Sequence, residues 1–82
     1  MKIVPKYKIG DLLICKVAIN PYEDEREDNL RSVIGWITDV KTYYESKLIA
    51  YSVQWSDKDG TVLLSEDDMH RFREFYEQAR NS

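Results

Sequence analysis

Residues 49–55, which read IAYSVQW, alternate large side chains with small or polar ones. Successive side chains of a β-strand point to opposite faces, so this period of two predicts a strand with one buried face. The next five residues, SDKDG, are rich in turn-forming types, and a second β-rich run, TVLL, begins directly afterwards at Thr61. The two runs together predict a β-hairpin within a small β domain.

Chain length and cysteine content narrow the class of protein. A chain of 82 residues predicts a single domain spanning residues 1–82. Its one cysteine, Cys15, excludes an internal disulfide framework and favours a reducing compartment. No apolar run approaches the roughly 20 residues that span a bilayer, and the first residues lack the apolar segment of a secretory signal. We therefore expect a cytoplasmic protein, or a component of a particle assembled there, with no membrane partner.

Three further segments show secondary-structure patterns. Residues 12–18 are almost continuously apolar and predict a first strand, and residues 33–41 predict a second one. The second strand is expected to place Ile34, Trp36, Thr38 and Val40 on one face and Val33, Gly35, Ile37 and Asp39 on the other. The predicted core contains Ile14, Trp36, Tyr51, Val53, Trp55 and Phe72.

Residues 66–80 predict a helix. Ser65 is the expected N-cap, and the acidic residues Glu66, Asp67 and Asp68 complement the positive end of the helix dipole. Apolar side chains recur at helical spacing at Met69, Phe72, Phe75, Tyr76 and Ala79. Two exposed pairs with i,i+4 spacing, Asp67 with Arg71 and Arg73 with Glu77, are expected to add little stability.

The order of four short motifs carries a family resemblance. These are GDLL at residues 10–13, GWITDV at 35–40, YSVQWSD at 51–57 and SEDDM at 65–69. They resemble the Tudor-like and KOW-like branch of small SH3-type barrels. The resemblance implies a mainly β fold, an SH3-like barrel of about five strands over residues 9–64, followed by the C-terminal helix. A small acidic barrel with a helical tail is also similar to small proteins of tailed bacteriophages.

The sequence contains few residues suited to catalysis, metal binding or recognition of a methylated ligand. Cys15 lies in an apolar strand and His70 on a helix with nothing to orient it, so neither predicts a nucleophile or a base. The spacing of Asp57, Asp59 and Thr61 resembles that of the ligands in a calcium-binding loop. However, Val62 occupies the position at which such a loop needs glycine. The turn at residues 56–60 lacks the aromatic side chain that a Tudor methyl-ligand cage needs. The sequence therefore predicts no enzyme, no metal site and no cofactor.

The functional prediction is a non-enzymatic protein–protein interaction module. Residues 22–32 form a polar segment rich in carboxylates, which would steer the domain toward a basic partner surface. The candidate partner-binding residues are Tyr22, Glu23, Asp24, Glu25, Glu27, Asp28, Tyr43 and Tyr44. An equal alternative is that the tyrosines only cover the edge of the core and the acidic segment only confers solubility.

Two other functions remain open on the sequence. The first is a structural or accessory subunit that self-assembles or joins a larger assembly such as a phage particle. The second is nucleic-acid binding through Lys2, Lys6, Lys8, Lys16 and Lys41. A net charge of −3 makes nucleic acid the less favoured partner, because phosphate binding needs clustered cations.

Overall fold

Four antiparallel strands and one C-terminal helix form the fold, in a computed structural model that describes residues 3–81. The strands are β1 (Leu12–Ala18), β2 (Leu30–Tyr43), β3 (Leu48–Trp55) and β4 (Thr61–Ser65), and the helix is α1 (Glu66–Arg80). A short 3-10 helix, Glu27–Asn29, precedes β2. The predicted hairpin, the first strand and the bounds of the helix are confirmed, whereas β2 is longer than its predicted nine residues. Met1, Lys2 and Ser82 lie outside the described residues.

The sheet is open, in the order β1-β2-β3-β4, so β1 and β4 are its edges. Residues 3–81 therefore contain four strands where about five were expected, and closure into a barrel is not confirmed. The helix α1 packs mainly against β1 and also contacts β3 and β4. Arg73 Nη1 donates a hydrogen bond of 2.9 Å to the carbonyl oxygen of Leu12. That carbonyl belongs to an edge strand, so a helix side chain satisfies it in place of another strand.

The helix begins as the sequence predicts. Ser65 has extended backbone angles, and its hydroxyl accepts a hydrogen bond of 3.4 Å from the Asp68 amide. Of the two predicted ion pairs, Arg73 with Glu77 is present at 2.8 Å. Asp67 and Arg71 form no ion pair in the described part of the chain, and the Arg71 guanidinium lies 5.9 Å from the centre of the Phe75 ring.

The core lies between the inner face of the sheet and α1. Its buried members are Leu13, Val33, Ile37, Tyr51, Val53, Trp55 and Met69. Phe72 of α1 is half-buried and meets Trp55 edge-on, with ring centres 5.3 Å apart. The inward placement of Tyr51, Val53 and Trp55 confirms the phase predicted from the alternation in β3.

The predicted phase of β2 is wrong. Val33, Gly35 and Ile37 face the core, whereas Trp36 lies on the outer face with 38% of its surface exposed. A Cβ atom at Gly35 would lie only 2.7 Å from Cζ3 and 2.9 Å from Cδ2 of Trp55. The indole of Trp55 therefore occupies the space that a side chain at residue 35 would need, and this fixes which face of β2 is inner.

A register shift between Ile37 and Asp39 makes Thr38 an extra residue in β2. Such a bulge reverses the alternation beyond it, so Val40 packs against the core although it has the same parity as Trp36. Ile14 is buried as predicted, but it lies opposite Ile34 on the outer face and outside the main core cluster.

Candidate functional site

The connection between β1 and β2, residues 19–29, contains the carboxylates of the predicted binding surface and is called the acidic loop from here on. Asn29, the last residue of this loop, is buried, with 7% of its surface exposed. Its Nδ2 donates to the carbonyl oxygens of Asn20 at 3.0 Å and Asp24 at 2.9 Å, and its Oδ1 accepts from the Asn20 amide at 3.0 Å. One side chain thus joins both ends of the loop and its middle, so the backbone has a defined conformation.

Local turns complete the acidic loop. The Tyr22 amide donates to Oδ1 of Asn20 at 3.1 Å, and the Glu23 amide donates to the Asn20 carbonyl oxygen at 3.2 Å. The first bond forms an Asx turn of the kind that asparagine favours, and the second closes a backbone β-turn. No sequence signal indicates the bracing role of Asn29, because an asparagine before a strand is ordinary loop composition.

The charged side chains of the acidic loop point outward. All of its carboxylates are exposed, namely Glu23, Asp24, Glu25, Glu27 and Asp28. Arg26 is its one cation and lies 3.8 Å from Asp24, with both side chains largely in solvent. Tyr22 is 96% exposed and shares a shallow depression of about 360 Å³ with the neighbouring acidic side chains. The acidic loop therefore presents negative charge and one exposed aromatic ring on a braced backbone.

Tyr43 and Tyr44 lie at the other end of the molecule. They occupy the far end of β2, where residues 44–47 turn into β3. An extended strand of 14 residues separates its ends by up to about 40 Å. The eight predicted partner-binding residues therefore form two separate surfaces. Tyr43 and Tyr44 are 48% and 69% exposed.

The lysines proposed for nucleic-acid binding are also dispersed. Lys41 lies toward the far end of β2, Lys16 lies on β1, and Lys6 and Lys8 lie in the segment before β1. The fifth lysine, Lys2, lies outside the described residues. The four described lysines do not form the continuous basic stripe that would follow a phosphate backbone.

A groove between β1 and α1, of about 310 Å³, is a feature that the sequence analysis missed. It is called the β1–α1 groove and is lined by Cys15, Lys16, Glu25, Leu30, Arg71, Phe72 and Phe75. The Nζ of Lys16 lies 4.9 Å from the centre of the Phe75 ring, on which the Arg71 guanidinium also rests at 5.9 Å. Within residues 3–81, neither cation has a carboxylate oxygen within 4.0 Å. Lys16 and Arg71 are 55 residues apart in sequence, so no local motif could reveal the groove.

The two candidate nucleophile–base residues lie on different elements. Burial raises the pKa of the Cys15 thiol above its ordinary value, which disfavours the thiolate. His70 Nδ1 lies 3.2 Å from the hydroxyl of Tyr7, which links α1 to the segment before β1. Among residues 3–81, no group of three or more His, Cys, Asp or Glu side chains converges as a metal site.

The outer face of the sheet carries an apolar patch. Leu12 and Ile34 are 38% and 48% exposed, and Trp36, directly opposite Leu12, is exposed to a similar degree. Ile14 lies beside them, opposite Ile34, and is buried. Exposed apolar patches are typical of interaction surfaces.

Comparisons with protein-family models, with curated proteins and with solved structures find no match. Of the helices in residues 3–81, none has the length and apolar character needed to cross a bilayer.

Proposed function

We propose that this chain is a non-enzymatic protein–protein interaction module, and that its acidic loop binds a basic surface of a protein partner. The observation that supports the proposal is the bracing of this loop by buried Asn29. The bracing fixes the backbone that carries the exposed carboxylates. A loop that binds gains affinity when its conformation is fixed beforehand, because less entropy is lost on association.

Charge and exposure support the same proposal. Five exposed carboxylates in a stretch of six residues attract a basic surface and accelerate encounter with it. Tyr22 is the exposed aromatic residue of the acidic loop. Tyrosine is enriched among the residues that contribute most to binding at interfaces. The tyrosines at the far end of β2 would contact a different region of the partner, or none.

The test is capture of a partner from the native source with two matched variants. In the first, Glu23, Glu25 and Glu27 become Gln. In the second, the exposed carboxylates Glu45, Asp59 and Glu74 become Gln or Asn, which changes the net charge by the same amount elsewhere. We expect the first variant to lose a partner that the wild type and the second variant retain.

The same capture has a clear contrary result. Equal loss of the partner by both variants would show that only net charge matters, and retention by all three proteins would exclude the acidic loop as the binding site. Asn29→Ala provides a second measurement, because it leaves every carboxylate in place but removes the brace. We expect weaker capture with Asn29→Ala at unchanged net charge.

A second candidate is a structural subunit of a larger assembly, and the apolar outer face favours it. Leu12, Ile34 and Trp36 form a patch that a neighbouring subunit would cover. In that case Trp36→Ser should reduce the assembly to smaller species in solution, measured by light scattering. An unchanged mass distribution would remove this candidate.

We also propose that the fold is related to SH3-like barrels of the Tudor-like and KOW-like type, with α1 in the position of the closing strand. The strand order and the motif order both support this relation. A cytoplasmic location and an origin in a phage particle remain predictions from the sequence.

A further inference from the structure

The β1–α1 groove has the chemistry of a binding site for an acidic peptide segment. Its lining combines aromatic and aliphatic surface with one carboxylate, Glu25, and with two cations, Lys16 and Arg71, that have no ion-pair partner among residues 3–81. Both cations already rest on the Phe75 ring, so their charged groups face the groove over an apolar wall. The volume of about 310 Å³ is at the lower end of the about 300–1,000 Å³ typical of ligand sites. It suits one aromatic side chain with the carboxylates that flank it.

The acidic loop has the complementary chemistry. Tyr22 is 96% exposed and is followed directly by Glu23 and Asp24, so an aromatic ring and two carboxylates project together. A tyrosine ring packs favourably against an aromatic wall and against cations. Carboxylates supply the ion pairs that Lys16 and Arg71 lack.

The acidic loop and the β1–α1 groove are neighbours on one side of the molecule, because Glu25 of the loop also lines the groove. A surface that carries both members of a complementary pair can associate with a second copy of itself. A two-fold axis between the loop and the groove brings each loop to the partner's groove and makes the same contacts twice.

We propose that the β1–α1 groove binds the acidic loop of a second copy of this chain, in a two-fold symmetric dimer. This inference rests on the proposed function, because it names the basic protein surface that the acidic loop recognises. Tyr22 packs against Phe75 of the other copy. Glu23 and Asp24 lie beside the cations of the other copy, Lys16 and Arg71.

Reversal of charge on each side separately provides the test. One variant carries Lys16→Glu with Arg71→Glu and is the groove-reversed protein. The other carries Glu23→Lys with Asp24→Lys and is the loop-reversed protein. All four side chains are exposed, so both variants are expected to fold, and circular dichroism with a thermal melt verifies this. Sedimentation equilibrium at low salt then gives the mass of each protein and of their mixture.

The expected outcome is a dimer of the wild type that dissociates as salt rises. Each variant alone should be a monomer, since like charges then meet at both contacts. An equimolar mixture should form a one-to-one dimer, because each reversed surface then meets a surface of opposite sign. Tyr22→Ala in the wild-type background should weaken the dimer by at least about tenfold.

Three outcomes would overturn the inference: a wild type that stays monomeric at the highest concentration, a variant that dimerises alone as the wild type does, or a mixture that does not associate. The proposed function is judged by a different measurement. A monomeric wild type that still captures a partner through Glu23, Glu25 and Glu27 would remove the dimer and leave the interaction module. A dimer maintained by the apolar outer face would persist in both charge variants and would respond to Trp36→Ser instead.

Discussion

The two tryptophans lie on adjacent strands of one sheet and have opposite environments. Trp55 of β3 points inward, is 6% exposed, and packs on Gly35 and Phe72. Trp36 of β2 points outward and is 38% exposed, beside Leu12 and Ile34. Both faces of this sheet are therefore apolar, but only the inner one is covered by α1. Apolar character alone therefore does not identify the core face of the sheet. The core is on the face that α1 covers.

The largest expected difference between the two faces is the cost of removing each indole. We expect Trp55→Ala to lower the free energy of unfolding by about 3–5 kcal/mol, because it opens a large cavity in the core. A domain of this size has a total stability of roughly 5–15 kcal/mol, so much of the protein would unfold at ambient temperature. Chemical denaturation followed by circular dichroism measures the loss. A cooperative transition at the wild-type midpoint would contradict the inward assignment of Trp55.

A second change tests the contact that fixes the phase of β2. Gly35→Ala places a methyl group against the Trp55 ring and should lower the free energy of unfolding by about 1–3 kcal/mol. The cost should shrink in a Trp55→Phe background, since the ring atoms that clash are then absent or displaced. The four proteins form a double-mutant cycle, again measured by denaturation. Additive costs would show that residue 35 does not face the indole.

Trp36→Ala should have a smaller effect than Trp55→Ala. The Trp36 side chain is only partly buried, so its removal gives up less buried apolar surface. We expect the free energy of unfolding to fall by about 1–2 kcal/mol, with the fold retained. The fluorescence of the remaining Trp55 should keep the emission of a buried indole, which shows that the core is intact. A loss as large as that of Trp55→Ala would mean that the outer face is a second core.

Tyr51 gives a test of the inner face at high pH. Burial raises the pKa of the Tyr51 phenol, whose hydroxyl also accepts a hydrogen bond of 3.4 Å from the Tyr7 amide. Because the folded-state pKa lies above the unfolded value of about 10, the stability linked to this group is intact below that pH. It is lost as the pH rises through the folded pKa.

The matched variant for this test is Tyr51→Phe. At neutral pH it should change the free energy of unfolding by no more than about 1 kcal/mol, the contribution of one ordinary hydrogen bond. Above about pH 10 its stability should fall less steeply than that of the wild type. Tyr7 and Cys15, whose pKa values burial also raises, are present in both proteins and contribute the same slope to each. Parallel pH profiles would show that Tyr51 does not titrate differently in the folded state.

Only part of the candidate site could be predicted from the sequence. The exposed carboxylates were identifiable because a run of acidic residues has no other stable place than solvent. Tyr43 and Tyr44 lie at the opposite end of β2 from these carboxylates, a separation that the sequence pattern did not indicate. The bracing contacts of Asn29 and the meeting of Lys16 with Arg71 depend on chain segments that approach only after folding.

The sequence by itself determined the local elements: the alternation of β3, the turn at residues 56–60, the first strand, and the helix that begins after Ser65. These depend on the periodicity and backbone preferences of neighbouring residues, which the chain carries without reference to its fold. Tertiary structure alone decided which apolar face of β2 is inner, that Thr38 forms a bulge, and that α1 packs mainly against β1. A period of two defines two faces of a strand, but only the space that a distant side chain such as Trp55 occupies determines which of them is buried.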